Sequence, residues 1–429
     1  MINSATVMLW GNKLGALYLD ESARTISFQY FDEFGKTPYR VSPLKHPFEK
    51  GKIFTKRIPR NEDTFNGLPG FIADVLPDKW GTALMDRWLA ENGRAAGSYN
   101  VIERLLYMGR RGMGALEFVP EIRTDLTKSI PIKELDGLIK AAADILSSRT
   151  SVRTNLEMED EALKTIISIG TSAGGARAKA VVAYNKETGD IRSGQVDAPE
   201  GFEHYLLKLD GVTNSILGDP EHYGSIEYSY YKIAKDCDII MMPSQLLPDR
   251  NRKHFLTKRY DRQGNKKIHK VSLCGINEMD FNMPGYFSYE QMFSVMRDLG
   301  LQNDELEQGF RRMVFNVIGR NQDDHTKNVE FLMDEGGSWS LAPAFDMTYS
   351  FKADSQWVAT HQMSINGKTD GFVLDDLLKV AKDNRIKNAM DIIAAINERF
   401  SHFEEYMESD IPEERIESMK STLRTSILS

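Results

Sequence analysis

Cysteine is nearly absent from this chain: Cys237 and Cys274 are the only two in 429 residues, and neither sits in a CxxC pair. Two isolated thiols exclude a disulfide framework and a cysteine-rich zinc module. Long apolar runs are missing as well. Ile239–Met242 and its neighbours fall far short of the ~20 residues that span a bilayer, so no membrane span is expected. The first residues lack a basic stretch followed by a long apolar one, so no signal peptide is expected and the expected compartment is the cytoplasm. The eight histidines are scattered, with no HExxH pair to hold a metal. Positive charge is in deficit: 54 Lys and Arg against 62 Asp and Glu give a net charge of −8, which argues against a chain that grips nucleic acid with its whole surface. Local basic runs over Lys253–Arg262 and at Lys266, Lys267 and Lys270 read as a solvated hairpin rather than a phosphate-tracking patch. There is no internal repeat and no low-complexity tract.

What remains is an ordinary globular composition, 41% hydrophobic and 27% charged. At about 150 residues per domain the length predicts two or three domains. Residues 5–32 alternate apolar and polar positions and break at Gly11-Asn12 and Asp20-Glu21, the pattern of a β-meander. A helix follows Pro77-Asp78, with Trp80, Leu84, Trp88 and Leu89 on one face. A strand is expected over 115–119, a helix over 132–146 and a polar linker over 150–159. From Thr165 to Asp210 the pattern reads strand, Gly-rich turn, strand, loop, strand. A helix is expected over 226–236, and strands over 255–261 and 267–273 flank the Gln263-Gly264-Asn265 turn. Beyond residue 288 the chain reads as mainly helical, over 289–299, 304–318, 373–382, 389–407 and 413–428. A β-rich half followed by a helical half predicts an α+β, two-lobed, kinase-like fold.

The richest chemistry lies in Arg320-Asn321-Gln322-Asp323-Asp324-His325-Thr326-Lys327-Asn328, followed by Leu341-Ala342-Pro343-Ala344-Phe345-Asp346. Phosphoryl transfer needs one carboxylate to orient and deprotonate a hydroxyl, and an amide oxygen plus a second carboxylate to hold Mg²⁺. Kinases place the amide five residues after the base. Asp323 has Asn328 at that spacing and Asp346 beyond it; Asp324 has no such partner. His325 is expected to brace the loop by hydrogen bonding rather than bind metal, and Lys327 to meet the γ-phosphate or neutralise Asp323. The run Ser172-Ala173-Gly174-Gly175-Ala176-Arg177-Ala178-Lys179 could bring backbone N–H groups and cationic side chains to phosphates, yet it is neither a Walker A nor a GxGxxG sequence and equally suits a plain hairpin loop. Lys208 stands alone in an apolar strand. With the Asp323 loop downstream it reads as the lysine that fixes nucleotide phosphates, with Glu227 as its helix partner.

These motifs together resemble the signature of HipA-type serine/threonine kinases, the toxins of bacterial toxin–antitoxin pairs. Phe71–Asp78 is similar to the family segment that ends in Leu-Pro-Asp, and Gly109–Leu116 to its Gly-rich turn. Ser172–Lys179 is similar to its phosphate loop, and Arg259–Arg262 with His269 and Cys274 to its hinge and following strand. The resemblance implies Asp323 as catalytic base, Asn328 and Asp346 as Mg²⁺ ligands and Lys208 on the phosphates of ATP. It further implies Ser172 as an autophosphorylated serine, and adenine held by the backbone from Lys258 to Tyr260. The family often has Glu where this chain has Lys258. Its known partners are a small helix-turn-helix antitoxin, HipB-like, through which any DNA contact would be made, and protein substrates that include aminoacyl-tRNA synthetases. The expected domains are a β-rich subdomain over 1–122, a kinase N-lobe over 123–262 and a helical C-lobe over 263–429. Two rival readings are a catalytically silent co-repressor of the same fold and a small-molecule kinase. Transfer of labelled phosphate to protein, to a metabolite or to neither would separate them.

Overall fold

The computed structural model describes residues 2–60, 64–123, 131–132, 135–147, 159–170, 177–212 and 222–428. Contacts divide the chain into two compact units. The first comprises Met1–Arg40, Phe48–Gly224 and Ser244–His269; the second comprises Val41–Pro47, Ser225–Pro243 and Lys270–Ser429. The architecture is mixed α+β, with the large sheets early in the chain and most long helices late.

The first unit contains two five-stranded sheets. The expected meander is present as β1 (Ser4–Leu9), β2 (Asn12–Asp20) and β3 (Thr25–Tyr30), extended by β4 (Ile53–Arg57) and β5 (Leu116–Val119) in the order β4-β3-β2-β1-β5. Alternation works as anticipated: Val7, Leu9, Leu17, Leu19, Ile26 and Phe28 are buried, while intervening residues reach solvent. Trp10 and Gly11 both take positive φ, the conformation that a two-residue hairpin turn matched to strand twist requires. The helices of this unit are α1 (Gly70–Ala73), α2 (Lys79–Glu91), α3 (Val101–Met108), α4 (Leu135–Ser147) and α5 (Glu159–Gly170). Asn100 caps α3 by accepting from the Glu103 N–H at 2.9 Å while the Glu103 carboxylate accepts from the Asn100 N–H, a complete capping box.

The second sheet is antiparallel: β6 (Lys179–Tyr184), β7 (Ile191–Ser193), β8 (Glu203–Lys208), β9 (Ser244–Asp249) and β10 (Arg252–Lys258), in the order β7-β6-β8-β10-β9. Ala180, Val182, Tyr205, Leu207 and Leu256 share a core with Trp80, Leu84, Ile139, Ala142, Ile166 and Ile169 from α2, α4 and α5. The Trp80 indole N–H donates to the Lys179 carbonyl at 2.9 Å. One expectation fails here. The strand expected to start at Thr165 is instead the last turns of α5. Tertiary burial of Ile166, Ile167 and Ile169 overrides their modest helix propensity. The linker expected over 150–159 lies, apart from its last residue, outside the described residues.

The second unit holds α6 (Tyr223–Asp236) from its third residue on, α7 (Leu273–Asn277), α8 (Tyr289–Asp298), α9 (Asn303–Ile318), α10 (Leu374–Asp383), α11 (Ala389–Ser401) and α12 (Glu413–Lys420). The helix expected over 389–407 ends at Ser401 and continues as a 3-10 turn, Phe403–Tyr406; the one expected over 413–428 stops at Lys420. At the centre, Tyr230 packs on Phe315, Phe400 and Phe403, and its hydroxyl donates to the Gly319 carbonyl at 2.7 Å. A Cβ at Gly319 would stand 2.9 Å from the Phe315 carbonyl oxygen and collide with the Phe400 ring, so only glycine lets α9 end at this point. That end sets where the next nine residues begin.

The basic run over 253–270 also departs from expectation. Arg259 and Arg262 grip the fully buried Asp261 at 2.7–2.9 Å, Lys258 pairs with Glu203, Lys267 with Glu117 and Lys270 with Glu330. The pairs around Asp261 and the Lys270–Glu330 pair are largely buried, whereas Lys258–Glu203 and Lys267–Glu117 stay partly open to solvent.

Candidate active site

Arg320 leaves α9 with φ +55° and starts a loop fixed at both ends. The Asn321 side chain donates to Asn316 Oδ1 at 2.9 Å and to the Asp346 carbonyl at 3.3 Å, tying the Asp323 loop to the segment that carries Asp346. Ser350 donates its N–H to the Arg320 carbonyl and accepts from the Gln322 N–H, a short parallel bridge that keeps the two segments side by side.

Within this frame the adjacent carboxylates Asp323 and Asp324 meet opposite fates. Asp324 is buried and its oxygens are occupied: Oδ2 accepts from the Tyr289 hydroxyl at 2.7 Å and lies 2.8 Å from His361 Nδ1, and Oδ1 accepts from the Gln362 N–H at 2.8 Å. Such a group anchors; it has no oxygen to offer a substrate. Asp323 keeps 39% of its side-chain surface open. Its Oδ1 accepts from the Trp357 indole N–H at 2.6 Å, and no described residue bonds its Oδ2. Burial of the carboxyl is the largest influence and lifts it above its ordinary pKa; His325 and the Trp357 hydrogen bond oppose the shift, while Asp346 and Asp324 add to it. A carboxylate raised in this way is a better proton acceptor.

Asn328 closes a 3-10 turn, Thr326–Asn328, and its amide nitrogen donates to the Asp323 carbonyl at 2.7 Å, which leaves the amide oxygen as the end available to a cation. Asp346 sits at φ +52°, a left-handed conformation uncommon outside glycine and concentrated at functional sites. Among the described residues no group of three or more His, Cys, Asp or Glu could cage a metal. One amide oxygen with one carboxylate is instead the sparse hard-oxygen set that suits Mg²⁺, which keeps several waters. The donor chemistry fits.

His325 does not hydrogen-bond as expected. Its Nε2 is 3.7 Å from Asp323 Oδ1, and the ring packs between Phe281 at 5.3 Å and Trp357 at 6.2 Å. Lys327 holds its ammonium 4.7 Å from the centre of the Phe281 ring. Phe281, Tyr289, Asn316, Trp357 and His361 were missed in the sequence. They come from irregular segments or helix faces with no motif of their own.

In the first unit, Lys179 and Lys208 are direct partners across β6 and β8, and Phe255 is the partner of Lys208 on β10. Direct partners share a face, and strand alternation puts these three opposite the helix-covered core of Ala180, Leu207 and Leu256. Two ammonium groups on one patch of sheet suit phosphate. Glu227, expected beside Lys208, belongs to the second unit. Arg177 lays its guanidinium on the Tyr223 ring, 3.4 Å from its centre. Lys258 spends its charge on Glu203, whose carboxyl is held below its ordinary pKa first by that hydrogen bond. Tyr260 is half-buried in the turn after β10, and the Arg259 N–H donates to the His204 carbonyl at 3.0 Å. Ser172, Ala173, Gly174, Gly175 and Ala176 lie outside the described residues.

The solved HipA of Shewanella oneidensis MR-1, in a complex with HipB and operator DNA, is 16% identical, with a TM-score of 0.65 over 97% of this chain and 95% of that one. At that identity the likeness is one of fold. The Helicobacter pylori proinflammatory kinase CtkA is more distant, 14% identical with a TM-score of 0.35 over 60% of this chain and 94% of that one. Family models are more decisive: the HipA N-terminal domain matches residues 5–119, and the HipA-like C-terminal domain matches residues 171–407, more than half of the chain and the part that carries Lys208, Asp323, Asn328 and Asp346. The chain belongs to the HipA family.

Proposed function

We propose that this chain is an ATP- and Mg²⁺-dependent protein serine/threonine kinase, the toxin of a HipA/HipB-like pair. The observation that carries the reading is the contrast within Asp323-Asp324. One carboxylate is spent on anchoring, while its neighbour keeps an unbonded oxygen and a raised pKa beside Asn328 and Asp346. Asp323 would take the proton from an acceptor hydroxyl as that oxygen bonds to the γ-phosphorus and the bond to the bridging oxygen of ADP breaks, its electron pair leaving with ADP. Lys179 and Lys208 would hold phosphate oxygens by charge. Mg²⁺, held by the Asn328 amide oxygen and the Asp346 carboxylate, would neutralise charge on the transferring group. Family membership supports a helix-turn-helix antitoxin partner, with any DNA contact made through it.

The test is incubation of purified protein with labelled ATP and Mg²⁺, with and without cell extract, and mapping of phosphate by mass spectrometry. Label on extract protein and on Ser172 is the expected result. Label on a metabolite, or none anywhere, defeats the reading. Asp346→Asn and Asn328→Ala should each weaken ATP binding in the presence of Mg²⁺ and leave metal-free binding unchanged. Calorimetry that finds the same Mg²⁺-dependence as wild type would remove both residues from the metal site.

A further inference from the structure

We propose that Trp357 is a positioning residue for phosphoryl transfer, and that it assigns the proton to Oδ2 of Asp323. This rests on the reading of Asp323 as the base. A half-buried indole N–H still seeks an acceptor, and most side-chain hydrogen bonds end on backbone or water. Trp357 instead donates at 2.6 Å to the one carboxylate in the loop with an open oxygen. His325 also faces Oδ1, at 3.7 Å. Both neighbours therefore address the same oxygen, and Oδ2 is left to meet a substrate hydroxyl.

The segment that carries the indole is not free to wander. The Ser355 hydroxyl accepts from the N–H groups of Trp357 and Val358 at 3.1 Å and shapes the turn before it. Four and five residues on, His361 and Gln362 hold the Asp324 carboxylate at 2.8 Å, and the Gln362 side chain bonds back to the Trp357 carbonyl. One short segment thus holds both adjacent carboxylates, Asp324 through a buried clamp and Asp323 through a single N–H. A carboxylate turns easily about its last torsion, where the preference is broad and two-fold. Fixing one oxygen sets the plane in which the other must lie. Because Asp324 is clamped by the same segment, the indole and the carboxylate it steers share a common base.

The experiment replaces Trp357 by phenylalanine and, in parallel, by benzothienylalanine, which keeps the shape of the indole and puts sulfur in place of the N–H. Turnover of labelled ATP with Mg²⁺ onto cell-extract protein is compared with ATP affinity and thermal midpoint. The expected result is a fall in kcat of about 10- to 100-fold, as small misplacements of a reacting group produce, with KM for ATP within about twofold and the midpoint unmoved. In an Asp323→Ala background the same replacement should cost nothing further, because there is no carboxylate left to steer. Wild-type kcat in the benzothienylalanine protein, while Asp323→Ala keeps only the slow residual turnover left by a lost base, about 10²–10⁴ below wild type, overturns the positioning role. So does an equal fall in kcat and midpoint, or an undiminished effect in the Asp323→Ala background. Full activity in Asp323→Ala, or no transfer by wild type, overturns instead the kinase reading on which this one stands.

Discussion

Asp323→Asn is expected to abolish phosphoryl transfer, with a loss on the order of 10²–10⁴ in rate from acid–base chemistry alone, without lowering the thermal midpoint. The carboxyl binds its proton more tightly in the folded protein than in the unfolded chain, because burial penalises the charged form. Folding is therefore penalised increasingly as the pH rises from the ordinary carboxylate range through the raised value, and not at all below the ordinary range. Asparagine carries no such penalty and can still accept from the Trp357 indole. The variant should melt at or above wild type near neutral pH, and the gap should close as the pH falls toward about 4. Asp324→Ala is the informative contrast. It strands the Tyr289 hydroxyl, the His361 ring and the Gln362 N–H in a buried place, at about 1–3 kcal/mol each. This variant should lose about 3 kcal/mol or more of stability, and its activity with it. Parallel melting curves and transfer assays decide. A stable, inactive Asp324→Ala beside a working Asp323→Asn would reverse the two roles.

Asp261→Ala should give the largest loss of stability in the first unit. Asp261 is fully buried, and burial alone would raise its carboxyl; the guanidinium groups of Arg259 and Arg262 outweigh that and hold it well below the carboxylate range. In return, burial and the neighbouring Arg259 pull Arg262 down to about 10. Removing the carboxylate leaves two guanidinium groups, 2% and 8% exposed, with their shared counter-charge gone, and takes away the acceptor of the Gly114 N–H at 2.7 Å. Breaking a buried pair by removing one partner costs about 3–5 kcal/mol. The exposed helical pair Lys379–Asp383 serves as the control: its loss should cost no more than about 0.5 kcal/mol. Denaturant titration of both variants gives the comparison. Equal midpoints would mean that the cluster around Asp261 is far better hydrated than its burial implies.

Much of the chemistry was legible because it is local. The Asp323-to-Asn328 spacing survives folding, since a five-residue loop and a 3-10 turn keep those groups near one another. The meander was legible because alternation with a period of two needs only nearest neighbours. The surroundings of the carboxylates were not. Tyr289 opens α8 and Trp357 and His361 lie in an irregular segment; all three are 34–37 residues from the groups they bond, and no local pattern names those partners. Nor could the sequence separate Asp323 from Asp324 except by spacing; the physical difference, one consumed and one open, exists only after the segment from Trp357 to Gln362 has docked. The charged run after residue 252 misled for the same reason, because its partners Glu203, Glu117 and Glu330 are 55, 150 and 60 residues away.

The ties between the first sheet and the segment after β10 bear on how this family can be taken apart. The Gly114 N–H ends on Asp261, the Trp10 indole donates to the Lys267 carbonyl at 2.8 Å, and Glu117 pairs with Lys267 at 2.7 Å. The two family models divide the chain between residues 119 and 171, yet these bonds cross that division inside a single compact unit. Descent and folding thus draw different borders. A C-terminal fragment made along the family border would carry Asp261, Arg262 and Lys267 with their cover stripped away. Modular exchange of the N-terminal piece between relatives would then succeed only where the donor brings its own backbone N–H to Asp261 and its own carboxylate to Lys267.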